Sequence, residues 1–202
     1  MPVPVSSWRT VGSRVVYANP WITVREDAVI RPDGKPGIYG VVEMRPSVGV
    51  VALTDSGQIA LVGQWRYPLG KPSLEIPTGG CEDGEPPVAA ARRELAEETG
   101  LAAGNWEALG TVDQSNGVTT DVAHVFLARD LAALPGATGG DGKRGQGDED
   151  ITVVWLPFGR AVELALSGEI TEAVSVAGLL RVALGERPAR AGREALTRGA
   201  SG

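Results

Sequence analysis

Three glutamates, Glu94, Glu97 and Glu98, recur at i, i+3 and i+4 in the stretch VAAARRELAEET. On a helix that spacing places them on one face within a single turn. Three anions held together repel, and a divalent cation between them removes the repulsion. Ligation by carboxylates alone suits hard ions such as Mg²⁺ or Mn²⁺, whereas Zn²⁺ prefers His and Cys. Mg²⁺ keeps several waters and takes remaining ligands from substrate phosphates. The chemistry on offer is metal-assisted attack on a phosphate. The competing reading is a solvated acidic helix face, which an isolated ExxEE pattern would favour. Here Arg93 lies beside the acids and a loop with three glycines, TGGCEDG, leads into them. Such a loop can bring backbone carbonyls close to a bound cation.

The elements that must position these residues are readable on either side. Pro86 and Pro87 sit where a helix start tolerates missing N–H groups. The run that follows is made of strong helix formers, and Gly100 supplies the stop. Upstream, VGVVALT and QIALVGQW flank the turn DSG, which predicts a hairpin. Both runs are apolar on both faces, so they belong in a central sheet covered on two sides. ANPWITVREDAVI and IYGVVEM, separated by the turn RPDGKPG, predict a small antiparallel unit at the front. WEALGTVDQ, DVAHVFLA and ITVVWLP read as further strands, and GRAVELALSG and TEAVSVAGLLRVALG as helices. PGATGGDGKRGQGDED, with six glycines, reads as a mobile surface loop. The chain thus divides into a front unit at residues 1–46, a main domain at 47–184 and a loose tail at 185–202.

Composition narrows the function classes. The 202 residues are 43% hydrophobic and 22% charged, enough for a packed core, with a formal net charge of -6. Between Glu75 and Glu98 there are seven acids and two arginines, so most of the excess sits in one place. A nucleic-acid surface would need a basic face instead. Cys81 is the single cysteine, which rules out an internal disulfide and suits a reducing cytoplasm. MPVPVSSWRT lacks a basic-then-apolar signal pattern, and the apolar runs are too short to span a bilayer. A cytoplasmic protein without membrane or nucleic-acid partners is expected.

Gly79, five residues, Glu85, seven residues, then Arg93-Glu94-Leu95-Ala96-Glu97-Glu98-Thr99-Gly100-Leu101 reproduces the complete Nudix box. The resemblance implies an α/β Nudix fold, an α/β/α sandwich with a mixed sheet, here preceded by the small antiparallel β unit. It also implies Mg²⁺-dependent hydrolysis of a nucleoside diphosphate linked to another group. QWRYP followed by LEIPTGG, together with Trp21, Tyr39, DEDITVVWLP and GEITEAVSVAGLL, resembles the ADP-ribose and nucleotide-sugar pyrophosphatase branch over roughly residues 8–184. In that branch the front unit exchanges between the subunits of a homodimer and shapes the nucleobase pocket. Branch members that cleave ADP-ribose often carry a proline after the box, where this chain has Ser115-Asn116-Gly117. GDP-mannose-like sugars therefore join ADP-ribose as candidate substrates.

By resemblance, Glu94 and Glu98 are metal ligands, Glu97 ligates a second metal, and the Thr78 carbonyl completes the site. Cations straddling a diphosphate would neutralise it and lower the pKa of an attacking water. Arg93 would orient the glutamates through charge-assisted hydrogen bonds, or serve as a plain helix salt bridge. Glu85 sits at the helix start, where the dipole favours a carboxylate. Glu75 could reach the metals through water or act as a sheet-edge or dimer-contact carboxylate. Arg66 is a candidate phosphate clamp, the alternative being an ion pair at a strand end. Trp21 could stack on the base or simply pack. Alignment of EDI with the branch points to Glu149, between Asp148 and Asp150, as general base on a swinging loop; the alternative is a plain acidic loop. His124 reads as a packing residue, and Cys81 has no partner for a nucleophilic role. Competing functions are hydrolysis of an oxidised nucleoside triphosphate and binding of a nucleotide sugar without cleavage.

Overall fold

The computed structural model describes residues 7–135, 143–144 and 151–185. Strands β1 (Arg9–Ala18), β2 (Ile22–Ile30) and β3 (Pro36–Met44) form a three-stranded antiparallel sheet in the order β1-β2-β3. β2 and β3 are the strands expected from the sequence. β1 is an addition: every residue in it is exposed, so it carries no burial pattern to read. Within this sheet only Asp27 and Val29 are buried. Asn19 makes the β1–β2 turn, its Oδ1 accepting from the N–H groups of Trp21 and Ile22 at 2.9 and 2.8 Å.

The main sheet holds β4 (Ser47–Leu53), β5 (Gln58–Arg66), β6 (Lys71–Glu75), β7 (Thr78–Gly80), β8 (Leu101–Asp113), β9 (Val122–Ala133), β10 (Lys143–Arg144) and β11 (Ile151–Pro157). Its order is β10-β11-β5-β4-β9-β8, with β6 against β5 and β7 against β4. It is mixed, because β4 runs parallel to β9 and antiparallel to β5 and β7. The helices are α1 (Pro87–Thr99), α2 (Phe158–Ser167) and α3 (Ala173–Gly185).

The two-faced apolar strands explain the layers. Val48, Val50 and Ala52 of β4 pack with Ala60, Phe126 and the α1 residues Ala90, Ala91 and Leu95. Val51 and Leu53, pointing the other way, join Ile59, Leu61, Val125 and the residues Ala161, Leu164, Val174, Leu179 and Val182 of α2 and α3. This is the expected α/β/α sandwich. A Cβ at Gly49 would lie 2.6 Å from Val174 Cγ1, so α3 rides directly on β4. The helix ends fall where the sequence placed them. Pro86 precedes α1 with Pro87 at its first position, and Gly100 closes it at φ 68° with its N–H on Ala96 O.

Besides β1, three strands were not legible beforehand, among them the two-residue β10 inside the stretch read as a surface loop. β6 and β7 lie in the Pro- and Gly-rich stretch around Glu75, and their pairing is set by β5 and β4 rather than by local preference. Most of the glycine-rich stretch before β11, including Asp148, Glu149 and Asp150, lies outside the described residues, as does the tail after Gly185. Among the described residues, no helix is long and apolar enough to cross a membrane.

Candidate active site

α1 presents Glu94 and Glu98 to β7, while Glu97 is held by Arg93 on the same helix. Glu98 is buried, and its Oε2 accepts the Thr78 N–H at 2.9 Å. Glu94 packs so tightly on β7 that a Cβ at Gly79 would lie 2.0 Å from its carboxyl carbon. A side chain there would push the Glu94 carboxylate aside.

Arg93 ties the acids together. Its Nη1 donates to Glu94 Oε1 at 2.7 Å and to Glu97 Oε2 at 3.2 Å. Its Nε and Nη2 grip the two oxygens of Glu85 at 3.2 and 2.9 Å, and Nη2 also reaches Gly80 O at 2.8 Å. These partners, Glu85 foremost, hold the guanidinium firmly in its charged form despite partial burial. The same contact, with the Glu82 N–H, keeps the Glu85 carboxyl below the usual range. Glu85 keeps a structural role, held by partners more specific than the helix dipole. It lies two residues before α1 and spends its oxygens on Arg93 and on the turn at Glu82.

Arg66 at the end of β5 and the buried Glu75 of β6 form a two-pronged ion pair, Nε to Oε1 at 2.9 Å and Nη2 to Oε2. They lie at opposite ends of the β5–β6 pairing, with Val62 opposite Glu75 and Arg66 opposite Lys71, so the long arginine side chain reaches back along the strands to the carboxylate. The Arg66 guanidinium is pushed up mainly by this bond. Its Nη2 also lies 3.4 Å from Thr78 Oγ1. Arg66, Glu75, Thr78 and Gly79 line one cleft of about 410 Å³, together with Ser47, Gln114, Asp121 and Glu172. The sequence assigns no role to the last four; Ser47, the Gln114–Asp121 pair and Glu172 come from separate stretches of the chain, and only the folded sheet with α3 packed on it brings them together. Glu172 caps α3, accepting from the N–H groups of Val174 and Ser175.

Trp21 is largely exposed and lines a second hollow of about 320 Å³ with Met44, Arg45, Cys81 and Arg93. Burial raises the Cys81 thiol, as expected of an inert cysteine. His124 sits partly buried in β9, opposite Val48 and Thr111.

The donor set is all oxygen, in keeping with a hard cation. Among the described residues, however, no three of these acids already converge on one point. Arg93 occupies Glu94 and Glu97 with a positive charge of its own. One arginine cannot neutralise the acids it touches and Glu98 besides, so the patch keeps an anionic excess. Residues and charge therefore fit a divalent cation once Glu94 and Glu97 turn from Arg93.

Residues 8–42 match the nucleoside diphosphate sugar hydrolase N-terminal domain, and residues 43–176 match the NUDIX domain. The chain belongs to the NUDIX family. Within it, the chain is similar to the ADP-ribose pyrophosphatase of Mycobacterium tuberculosis, 33% identical over 176 residues, covering 87% of this chain and 83% of that protein. It is also similar to the ADP-ribose pyrophosphatase of Bacillus subtilis, 32% identical over 165 residues, covering 82% and 86%. The crystal structure of an ADP compounds hydrolase superposes with a TM-score of 0.76 at 20% identity, covering 91% of this chain and 96% of that one, which supports the NUDIX fold. NUDIX pyrophosphatases generally use a divalent metal.

The tight seat at Gly79 gives a first prediction. Gly79→Ala should displace the Glu94 carboxylate and lower kcat roughly tenfold to a hundredfold, the usual cost of a misplaced catalytic group. The same variant should leave the far-ultraviolet circular dichroism spectrum unchanged. A variant with full turnover would show that Glu94 need not lie where it does.

Proposed function

We propose that this NUDIX protein hydrolyses the pyrophosphate bond of a nucleoside diphosphate sugar, giving a nucleoside monophosphate and a sugar phosphate. The supporting observation is the cleft itself. Its wall is the box loop, Thr78 and Gly79, backed by the glutamate face of α1, and the Arg66–Glu75 pair borders the same space.

Glu94, Glu97, Glu98 and the Thr78 carbonyl would hold the metal, Mg²⁺ by preference with Mn²⁺ as substitute. The ion supplies charge neutralisation of the diphosphate and a more acidic water. Arg93 sets the glutamate rotamers. Arg66 grips a phosphate oxygen when a diphosphate competes with Glu75 for its fork. Trp21 offers a face for the base. Glu149 takes the proton from the attacking water; Glu149→Gln should then lower kcat by roughly a hundredfold, in the range for a lost general base. A change of only a few-fold would move that role to another residue.

The front sheet exposes Val11, Val15, Val16, Tyr17 and Ile38. That apolar area supports a homodimer built through it. With Cys81 as the single cysteine, a cytoplasmic location fits.

The deciding experiment is a turnover screen with ADP-ribose, GDP-mannose, ADP-glucose, UDP-glucose and NADH under Mg²⁺, with an oxidised nucleoside triphosphate included. Monophosphate release from one of the nucleotide sugars is expected. Tight binding without any product would make the protein a sensor, and preference for the triphosphate would reassign the substrate class.

A further inference from the structure

The two hollows are not separate. Ser47 and Asp121 line both the cleft at Thr78 and Gly79 and the hollow at Trp21. At this junction Ser47 Oγ donates to Asp121 Oδ1 at 3.1 Å. Gln114 Nε2 donates to Asp121 Oδ2 at 3.0 Å and to Ser47 Oγ at 3.2 Å. Ser47 opens β4, Gln114 follows the last residue of β8 and Asp121 precedes the first of β9, and backbone bonding of Gln114 N to Asp121 O at 2.9 Å fixes the spacing of the last two.

The donors of the cluster are turned inward. Both recorded bonds of the Gln114 amide stay within it, and so does that of the Ser47 hydroxyl. What faces the junction is acceptor capacity, the remaining lone pairs of the Asp121 carboxylate. Among the described residues no Lys or Arg pairs with Asp121, which is held by neutral donors alone. Asp121 itself offers no donor to an anion such as phosphate. A group with two adjacent O–H donors would be welcomed, since hydrogen bonds to a charged acceptor are the stronger kind.

In a nucleoside diphosphate the ribose lies between base and diphosphate. Resting on the reading that Trp21 faces the base and the box loop the diphosphate, we infer that Asp121, oriented by Ser47 and Gln114, binds the 2′,3′-diol of the nucleoside ribose and makes the site selective for ribonucleotides. Burial pushes the Asp121 carboxyl up while the bonds from Ser47 and Gln114 pull it back, so a ligand that adds donors stabilises the anion further.

The test is a calorimetric titration of the full chain with ADP against 2′-deoxy-ADP and GDP against 2′-deoxy-GDP, under Mg²⁺. These ligands lack the second sugar, so any discrimination reports the nucleoside ribose alone. For at least one base, the ribo form should bind the wild type roughly tenfold or more tightly. In Asp121→Asn and Asp121→Ala the ratio should fall toward one, with deoxy affinity nearly unchanged. A wild-type ratio of one overturns the inference. So does equal weakening of both forms, or a ratio that survives in the variants. If circular dichroism shows that the Asp121 variants do not fold, Ser47→Ala must lower the ratio, and an unchanged ratio counts against the diol. Absence of turnover on every nucleotide sugar would sink the hydrolysis reading while leaving this ratio intact, so the two failures are separable.

Discussion

Replacing Glu98 with Gln is expected to lower kcat roughly a thousandfold, the equivalent of several kcal/mol of lost charge stabilisation. The melting temperature should move by no more than about 4 °C. Both expectations come from one contact. Glu98 accepts the Thr78 N–H through Oε2, and the glutamine amide retains an oxygen for that bond. The fold loses little. What disappears is the negative charge beside the cleft, in a buried position where water screens it poorly. Steady-state kinetics and a thermal melt on the same sample check both halves. Turnover near the wild-type level would remove Glu98 from the metal-binding set.

Arg93→Ala should cost the most in stability, about 2–3 kcal/mol, because charge-assisted bonds to Glu94, Glu97 and Gly80 O are lost together and do not add fully. The loss should depend on pH in a stated direction. Arg93 holds the Glu85 carboxyl below its usual range. A depressed carboxyl contributes stability above its unfolded value, and that contribution fades as pH falls through the folded value. The variant should therefore trail the wild type most near neutrality and approach it in acid. Denaturant unfolding at several pH values would measure this. Arg93→Lys should recover only part of the loss, since an ammonium cannot fork onto Glu85 while reaching Glu94 and Gly80. A pH-independent gap would mean that packing of the arginine stem, and not its charge, matters.

The parts legible in the sequence were those with a local cause. Pro87 and Gly100 bound α1 because each acts on its own backbone. The face of three glutamates follows from helical spacing, and the central place of β4 and β5 from apolar residues on both sides. What escaped notice is set by distant partners. β1 has no buried face, so alternation has nothing to record. The Arg66–Glu75 pair joins opposite ends of the β5–β6 pairing, which no local pattern signals, and the sequence leaves the pair and the phosphate clamp as rival readings of Arg66. The structure shows the pair in place at the rim of the cleft. Ser47 and Asp121 are hydrogen-bonded across 74 positions, through the parallel β4–β9 pairing that no local pattern announces. The partner of Glu85 escapes for a related reason: the dipole is a local cue, whereas Arg93 reaches it across eight positions.

The edge of β3 is laced to the loop at residues 115–120. Val42 N–H donates to Val118 O at 2.8 Å, Thr120 N–H to Val42 O at 3.0 Å, and the Tyr39 hydroxyl to Gly117 O at 2.7 Å. The front sheet is thus no detachable ornament. A truncated chain starting at residue 47 would leave that loop frayed and its amides bare, and would loosen the segment that leads into Asp121.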